Sequence, residues 1–226
     1  MMRYRSNGAW SSPVVIRVPV GGYIHGGHYH SQSIDGFFAH IPGIRIAYPS
    51  TAADAKGLLK AAIRGDDPVL FMEHKGLYRQ GYASSSEPSA DYLLPFGVAA
   101  TRREGTDVTV VTWGYLVQQS LEAARSAEQK GISVEVIDLR TLNPLDEATI
   151  FASVRKTGKV IVAHEDTLTG GFGAEIVARI TENCFEHLDA SVRRVAAKDI
   201  PVPYSPTLED AMLPNKNDVL AAIELV

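Results

Sequence analysis

Along residues 1–80 the apolar positions fall into short runs divided by turns, with a single stretch of helical period among them. Val14-Val15-Ile16-Arg17-Val18 is a β-branched run and reads as a buried strand. Residues 34–40 (IDGFFAH) predict a short helix stopped by Pro42-Gly43, and 44–48 predict a strand. Ser50 or Thr51 then stands where an N-cap belongs, because Ala55, Leu58, Leu59, Ala62 and Ile63 follow the spacing of one buried helical face. Arg64-Gly65-Asp66-Asp67-Pro68 ends that helix, and Val69-Leu70-Phe71-Met72-Glu73 is the next strand. Strand, helix, strand is the order of a parallel sheet.

Residues 81–95 (GYASSSEPSADYLLP) lose all period and read as a linker, which divides the chain into 1–80, 81–95 and 96–226. Beyond Pro95 the alternation resumes. Strands at 107–113, 134–139, 159–163 and 192–197 are separated by helices: one carrying Val117, Ser120, Leu121 and Ala124, one capped by Asp146, and one over about 173–187. Four strands with helical crossovers predict an open α/β domain. The remaining tail, with four prolines before Val219, Ala222 and Ile223, is expected to wrap the surface or a partner. The fold expected is therefore α/β, with two open and mostly parallel sheets.

Composition changes this picture little. The chain has 226 residues, is 45% hydrophobic and carries a formal charge of −4, which gives no basic face for nucleic acid or an anionic membrane. One cysteine, Cys184, cannot form an intrachain disulfide, so a cytoplasmic location is expected. No apolar run approaches the ~20 residues of a membrane span. The doubled Met and two arginines that run directly into a strand suggest a start inside a larger protein.

Chemistry concentrates in Gly21-Gly22-Tyr23-Ile24-His25-Gly26-Gly27-His28-Tyr29-His30-Ser31-Gln32-Ser33, a glycine-rich loop leaving the first strand. His25, His28 and His30 permit three readings: a metal site, one catalytic histidine with two neighbours, or no chemical role. No cysteine lies near and no carboxylate follows before Asp35, so structural zinc is not expected. Gly170-Gly171-Phe172-Gly173 fits a tight strand-to-helix turn better than a phosphate cradle, since its spacing is not that of a dinucleotide fingerprint. His164-Glu165-Asp166 stands at a strand's carboxyl end, where open sheets place ligands. Glu73-His74-Lys75 is expected to pair internally, or with Arg79, at the surface.

The words of the sequence add a resemblance. Pro19-Val20-Gly21-Gly22 through His30-Ser31-Gln32-Ser33, Phe38-Ala39-His40-Ile41-Pro42-Gly43, Asp54-Ala55-Lys56-Gly57-Leu58-Leu59 and Glu73-His74-Lys75-Gly76-Leu77-Tyr78-Arg79 resemble the beta subunit of thiamine-dependent 2-oxo acid dehydrogenases. Val111-Thr112-Trp113-Gly114, residues 138–146 (DLRTLNPLD), His164-Glu165 with Thr169-Gly170-Gly171-Phe172-Gly173-Ala174-Glu175, and Pro203-Tyr204-Ser205-Pro206 with Leu208-Glu209 continue it in the family's order.

The resemblance implies a transketolase-like enzyme that decarboxylates a 2-oxo acid and reductively acylates a lipoyl group, with branched-chain substrates favoured over pyruvate by residues 29–33. A transketolase or deoxyxylulose phosphate synthase relative shares the fold and fits the motifs less well. The resemblance makes His30 the histidine that reaches the active site and gives His25 no role. It implies thiamine diphosphate with magnesium held by an alpha subunit or fused alpha region, a second beta copy, and docking on a lipoyl acyltransferase core. The glutamate that activates thiamine has no match here, so the first domain is expected to be a partial pyrimidine-binding type and the second a transketolase C-terminal type. A potassium ion held by the backbone carbonyls of Ala62, Gly65 and Asp67 is also implied. A fragment of this kind could instead act only as an assembly module.

Overall fold

The computed structural model describes residues 2–226. In chain order the elements are α1 (Met2–Arg5), β1 (Val15–Val20), α2 (Gly27–His30), α3 (Asp35–Ala39), β2 (Arg45–Ala47), α4 (Ala52–Ile63) and β3 (Val69–His74). There follow β4 (Ala100–Arg103), β5 (Val108–Thr112), α5 (Leu116–Glu128), β6 (Val134–Asp138), β7 (Thr141–Asn143), α6 (Glu147–Thr157), β8 (Val160–Thr167), α7 (Gly173–Cys184), β9 (Arg193–Ala197), α8 (Pro206–Met212) and α9 (Lys216–Glu224). Polar caps set several helix starts. Thr51 accepts the Asp54 N–H at α4, Asp146 accepts the Thr149 N–H at α6, and Asn215 with Asp218 forms a capping box at α9.

Two sheets result, and both are mostly parallel. The first has the order β1-β3-β2-β7 and the second β4-β6-β5-β8-β9; only β7 and β4 run antiparallel to their neighbours. In the second sheet β6 lies on one side of β5 and β8 on the other, so the chain reverses its direction of growth between β5 and β8. That is the switch point where open sheets leave a crevice beyond their strand ends. A single buried cluster joins the sheets: Val20, Ile46 and Met72 from the first pack with Val111, Ile137, Leu142 and Ile176 from the second half. Two further clusters fill the outer faces, one under α4 and one between the second sheet and α5 with α9.

Several expectations are corrected. β1 is an edge strand with Ile16 53% exposed, not a buried one, because only β3 pairs with it. Ile63 ends α4 65% exposed, where the helix runs out beyond the sheet it covers. The second sheet has five strands instead of four, since β4 (Ala-Thr-Arg-Arg) lacks apolar alternation and adds at the edge. The three-residue β7 leaves the second half altogether and extends the first sheet. The tail wraps this chain itself: Met212, Leu213, Val219, Ala222 and Ile223 are buried, and α9 packs on α5. No described helix is long and apolar enough to cross a membrane.

Candidate active site

The carboxyl ends of β1, β3, β5 and β8 meet between the two sheets, and the chemistry gathers there. β1 ends at Val20, so Gly21 and Gly22 begin the histidine loop; β3 ends at His74; Trp113 follows β5; His164 and Glu165 lie in β8. Gly21 has φ +89°, and a Cβ there would fall on the His74 ring, so only glycine lets the chain turn at this point.

Glu165 is the hub. Its Oε1 accepts the Gly22 N–H at 2.6 Å and the Ser33 hydroxyl at 3.3 Å, and its Oε2 pairs with His74 Nε2. His74 Nδ1 accepts the Gly76 N–H at 3.0 Å, so the proton sits on Nε2 and is donated to Glu165. Both side chains are buried, and the His74 ring stacks on Tyr115 at 5.0 Å. Burial, with the charge of Glu165 next in effect, pushes the Tyr23 phenol well up, and burial does the same for Tyr48 and Tyr115. These rings are neutral walls. The expected surface cluster at Glu73-His74-Lys75 is thus dissolved: Glu73 bonds Arg17 and Tyr78, His74 turns inward, and the Lys75 ammonium donates to the His30 carbonyl.

Beside this hub lies a second buried group. Trp113 Nε1 donates to Asp35 at 2.9 Å, and its ring lies flat on His164 at 5.3 Å. Burial, then the nearby charge of Asp166, raises the Asp35 carboxyl to about 8. Burial lowers His164 to about 4, and neither of its ring nitrogens has a hydrogen-bond partner. Gly171 and Gly173 press against that imidazole, and a Cβ at either would collide with it. Close packing therefore accounts for the Gly170–Gly173 turn.

The three loop histidines separate. His25, at φ +57°, places Nδ1 2.8 Å from Glu209 Oε2, and its backbone N–H reaches the same oxygen at 3.2 Å. His28 packs on Tyr29 and meets Tyr204 edge-on. His30 ends α2 with its side chain exposed. Among the described residues no group of three or more His, Cys, Asp or Glu is placed to hold a metal ion. Ala62 lies in the last turn of α4, where its carbonyl accepts the Gly65 N–H at 3.2 Å, and the Asp67 carboxylate pairs with Arg3 and Arg45.

Sequence reasoning gave Glu165 no place as the hub and Glu209 no role, and it missed Tyr115 entirely. The signal for Glu165 was its place at a strand end. For Glu209 it was the Leu208-Glu209 pair within the resemblance, which assigned the residue no role.

Residues 1–80 match the model of the transketolase pyrimidine binding domain, and residues 97–219 that of the transketolase C-terminal domain. The 2-oxoisovalerate dehydrogenase subunit beta of Bacillus subtilis (strain 168) is 50% identical over 223 residues, covering 98% of this chain and 68% of that protein. The chain belongs to the transketolase-like beta subunits of 2-oxo acid dehydrogenases. The pyruvate dehydrogenase E1 component subunit beta of the same organism is 48% identical, over 97% of this chain and 66% of that protein. Among solved structures, a split gene transketolase described as an inactive beta4 tetramer superposes with a TM-score of 0.74 at 26% identity, covering 95% of this chain and 66% of that one. The chain thus spans about two thirds of the length of these relatives. In this chain the hub at Glu165 ties the residues matching the pyrimidine binding domain to those matching the C-terminal domain.

Proposed function

We propose that this chain forms part of the decarboxylating component of a 2-oxo acid dehydrogenase, which oxidatively decarboxylates a 2-oxo acid and passes the acyl group to lipoyl. One observation carries the reading: the family's His-Ser-Gln block stands intact at residues 30–32, with His30 exposed and Ser31 buried, in the loop after β1 where the carboxyl ends of both sheets converge. His30 is the residue to hydrogen-bond the substrate or exchange a proton with the dihydrolipoyl sulfur. The preference for a branched-chain acid over pyruvate rests on Tyr29-His30-Ser31-Gln32-Ser33.

Thiamine diphosphate with magnesium supplies the carbanion chemistry in such an enzyme. The two buried glutamates of this site do not fit the role of its activating acid. Glu165 is filled by three donors of its own chain, and Glu209, fully buried, gives Oε2 to His25 while its unpartnered Oε1 is enclosed. The chain therefore provides one wall of the cofactor site, with the activating carboxylate and the diphosphate-binding groups coming from other segments and from an alpha subunit or fused alpha region. A second beta copy and a lipoyl acyltransferase core complete the partners. A potassium ion on the carbonyls of Ala62, Gly65 and Asp67 would brace the turn after α4. We assign the chain to the cytoplasm, because its single buried Cys184 requires no oxidising compartment.

A second reading, an assembly module without catalysis, draws on the beta4 tetramer, which is described as inactive. The test is to assemble the complete beta subunit with its alpha partner, thiamine diphosphate and magnesium, and to follow acylation of an isolated lipoyl domain with 3-methyl-2-oxobutanoate and with pyruvate. Acylation dependent on the 2-oxo acid supports the proposal, and faster use of pyruvate overturns the branched-chain preference. Failure with every 2-oxo acid, alongside ketol transfer between sugar phosphates, would replace the proposal with a transketolase.

A further inference from the structure

The loop of residues 21–33 contains no long element of its own. Its only helix is the four-residue α2, and two of its non-glycine residues, Tyr23 and His25, sit at positive φ alongside Gly21 and Gly27. Segments of this kind are ordinarily the first to open. Here its two ends are fastened to one atom of the other half of the molecule. The Gly22 N–H at the start of the loop and the Ser33 hydroxyl at its end both donate to Glu165 Oε1, at 2.6 and 3.3 Å, although Glu165 lies 143 and 132 residues further along the chain. The remaining oxygen of the same carboxylate holds His74, the last residue of β3. From the β3 side, Lys75 then bonds the carbonyl of His30 itself.

We infer that Glu165 is a positioning residue for His30: it closes the histidine loop at both ends against the carboxyl end of β3 and fixes where the exposed imidazole stands. The inference rests on the proposed role of His30 and extends it to a residue in the C-terminal half. The chemistry requires a carboxylate. Three donors converge on two oxygens, and His74 cannot offer an acceptor in exchange, because its Nδ1 is taken by the Gly76 N–H. A glutamine has one acceptor oxygen and one donor nitrogen. Whichever way it turns, a donor faces a donor, either at His74 or at Gly22. An aspartate keeps the charge but is one methylene too short to reach both halves.

The experiment uses the complete enzyme with its alpha partner and cofactor, and reads two quantities. Hydrogen exchange of the segment 22–33 should quicken about 10- to 100-fold in Glu165→Gln, the loss expected for a charge-assisted hydrogen bond, while β5 and β6 stay protected. Acylation of a lipoyl domain should fall by a similar factor, and that fall should vanish when Glu165→Gln is made in a His30→Ala background, since a residue acting through another is not additive with it. Unchanged exchange of the loop overturns the inference, as does a full additive loss in the double variant. If His30→Ala alone leaves acylation unchanged, the reading of His30 fails, and the exchange of residues 22–33 by itself decides whether Glu165 holds the loop. Should Glu165→Gln not fold, Ser33→Ala removes one donor and keeps the carboxylate. It should quicken exchange at the Ser33 end of the loop, and no change there overturns the inference.

Discussion

Trp113 Nε1 donates a hydrogen bond of 2.9 Å to Asp35, so the indole that follows the central strand of the second sheet holds a fully buried carboxyl from the other half of the chain. On its face the indole carries His164, another buried group with no partner for either nitrogen. An acid at the edge and a base on the face are thus packed against one ring, and both are neutral at pH 7.

This pair sets a pH dependence of opposite signs. The Asp35 pKa is raised to about 8, so the native state binds a proton that the unfolded chain has released, and stability falls as pH rises from about 4 to 8. The His164 pKa is lowered to about 4, so stability from this group rises between about pH 4 and 6.5. The two oppose each other below pH 6.5, and Asp35 alone acts above it. Asp35→Asn should flatten the decline in urea midpoint between pH 6.5 and 8 and uncover the rise below 6.5. A decline that survives the substitution would rule out Asp35 as its source.

Gly21 and Gly131 share a left-handed backbone, at φ +89° and +81°, yet differ in surroundings. A Cβ at Gly131 meets nothing within 4 Å, whereas one at Gly21 would fall on the His74 ring. Gly131→Ala should cost about 1 kcal/mol of backbone strain, and Gly21→Ala at least about 2 kcal/mol more, because overpacking adds to strain. Equal urea midpoints for the two variants would contradict the close packing of Gly21 on His74.

Glu209 is fully buried, with Oε1 unpartnered and Oε2 shared by the His25 imidazole and its backbone N–H. Because His25 is half exposed, the ion pair itself counts for little, and the cost of Glu209→Ala comes from the stranded backbone donor and the space left behind. Thermal or urea unfolding should register a loss of about 1–3 kcal/mol. His25→Ala should cost well under half of that, and the reverse order would show that the side-chain pair, not the backbone bond, is what Glu209 supplies.

How much of this was written legibly in the chain differs from element to element. β5, β6 and β8 are central strands of a mostly parallel sheet and rich in Val and Ile, with buried polar residues among them, and α4, α6 and α9 begin at side chains that visibly cap them. β4 and β7 are short and sit at sheet edges, where pairing partners and not composition decide that they are strands. The site followed the same division. The block of neighbours around His30 is legible in the chain and the role given to His30 is a proposal, whereas Glu165 and His74 lie 91 residues apart and each looks, locally, like a polar residue at a strand end. Only the convergence of two sheets' carboxyl edges makes them one group, and that convergence depends on the shared core running from Val20 and Met72 to Val111 and Leu142.

The most direct test of the central claim is single-turnover transfer of the acyl group to a lipoyl domain by the complete enzyme carrying His30→Ala. The account predicts a fall of about 10²- to 10⁴-fold in the acyl-transfer rate, the usual contribution of a positioned acid or base, with binding of thiamine diphosphate retained. An acyl-transfer rate equal to that of the unaltered enzyme would contradict it and remove His30 from the mechanism.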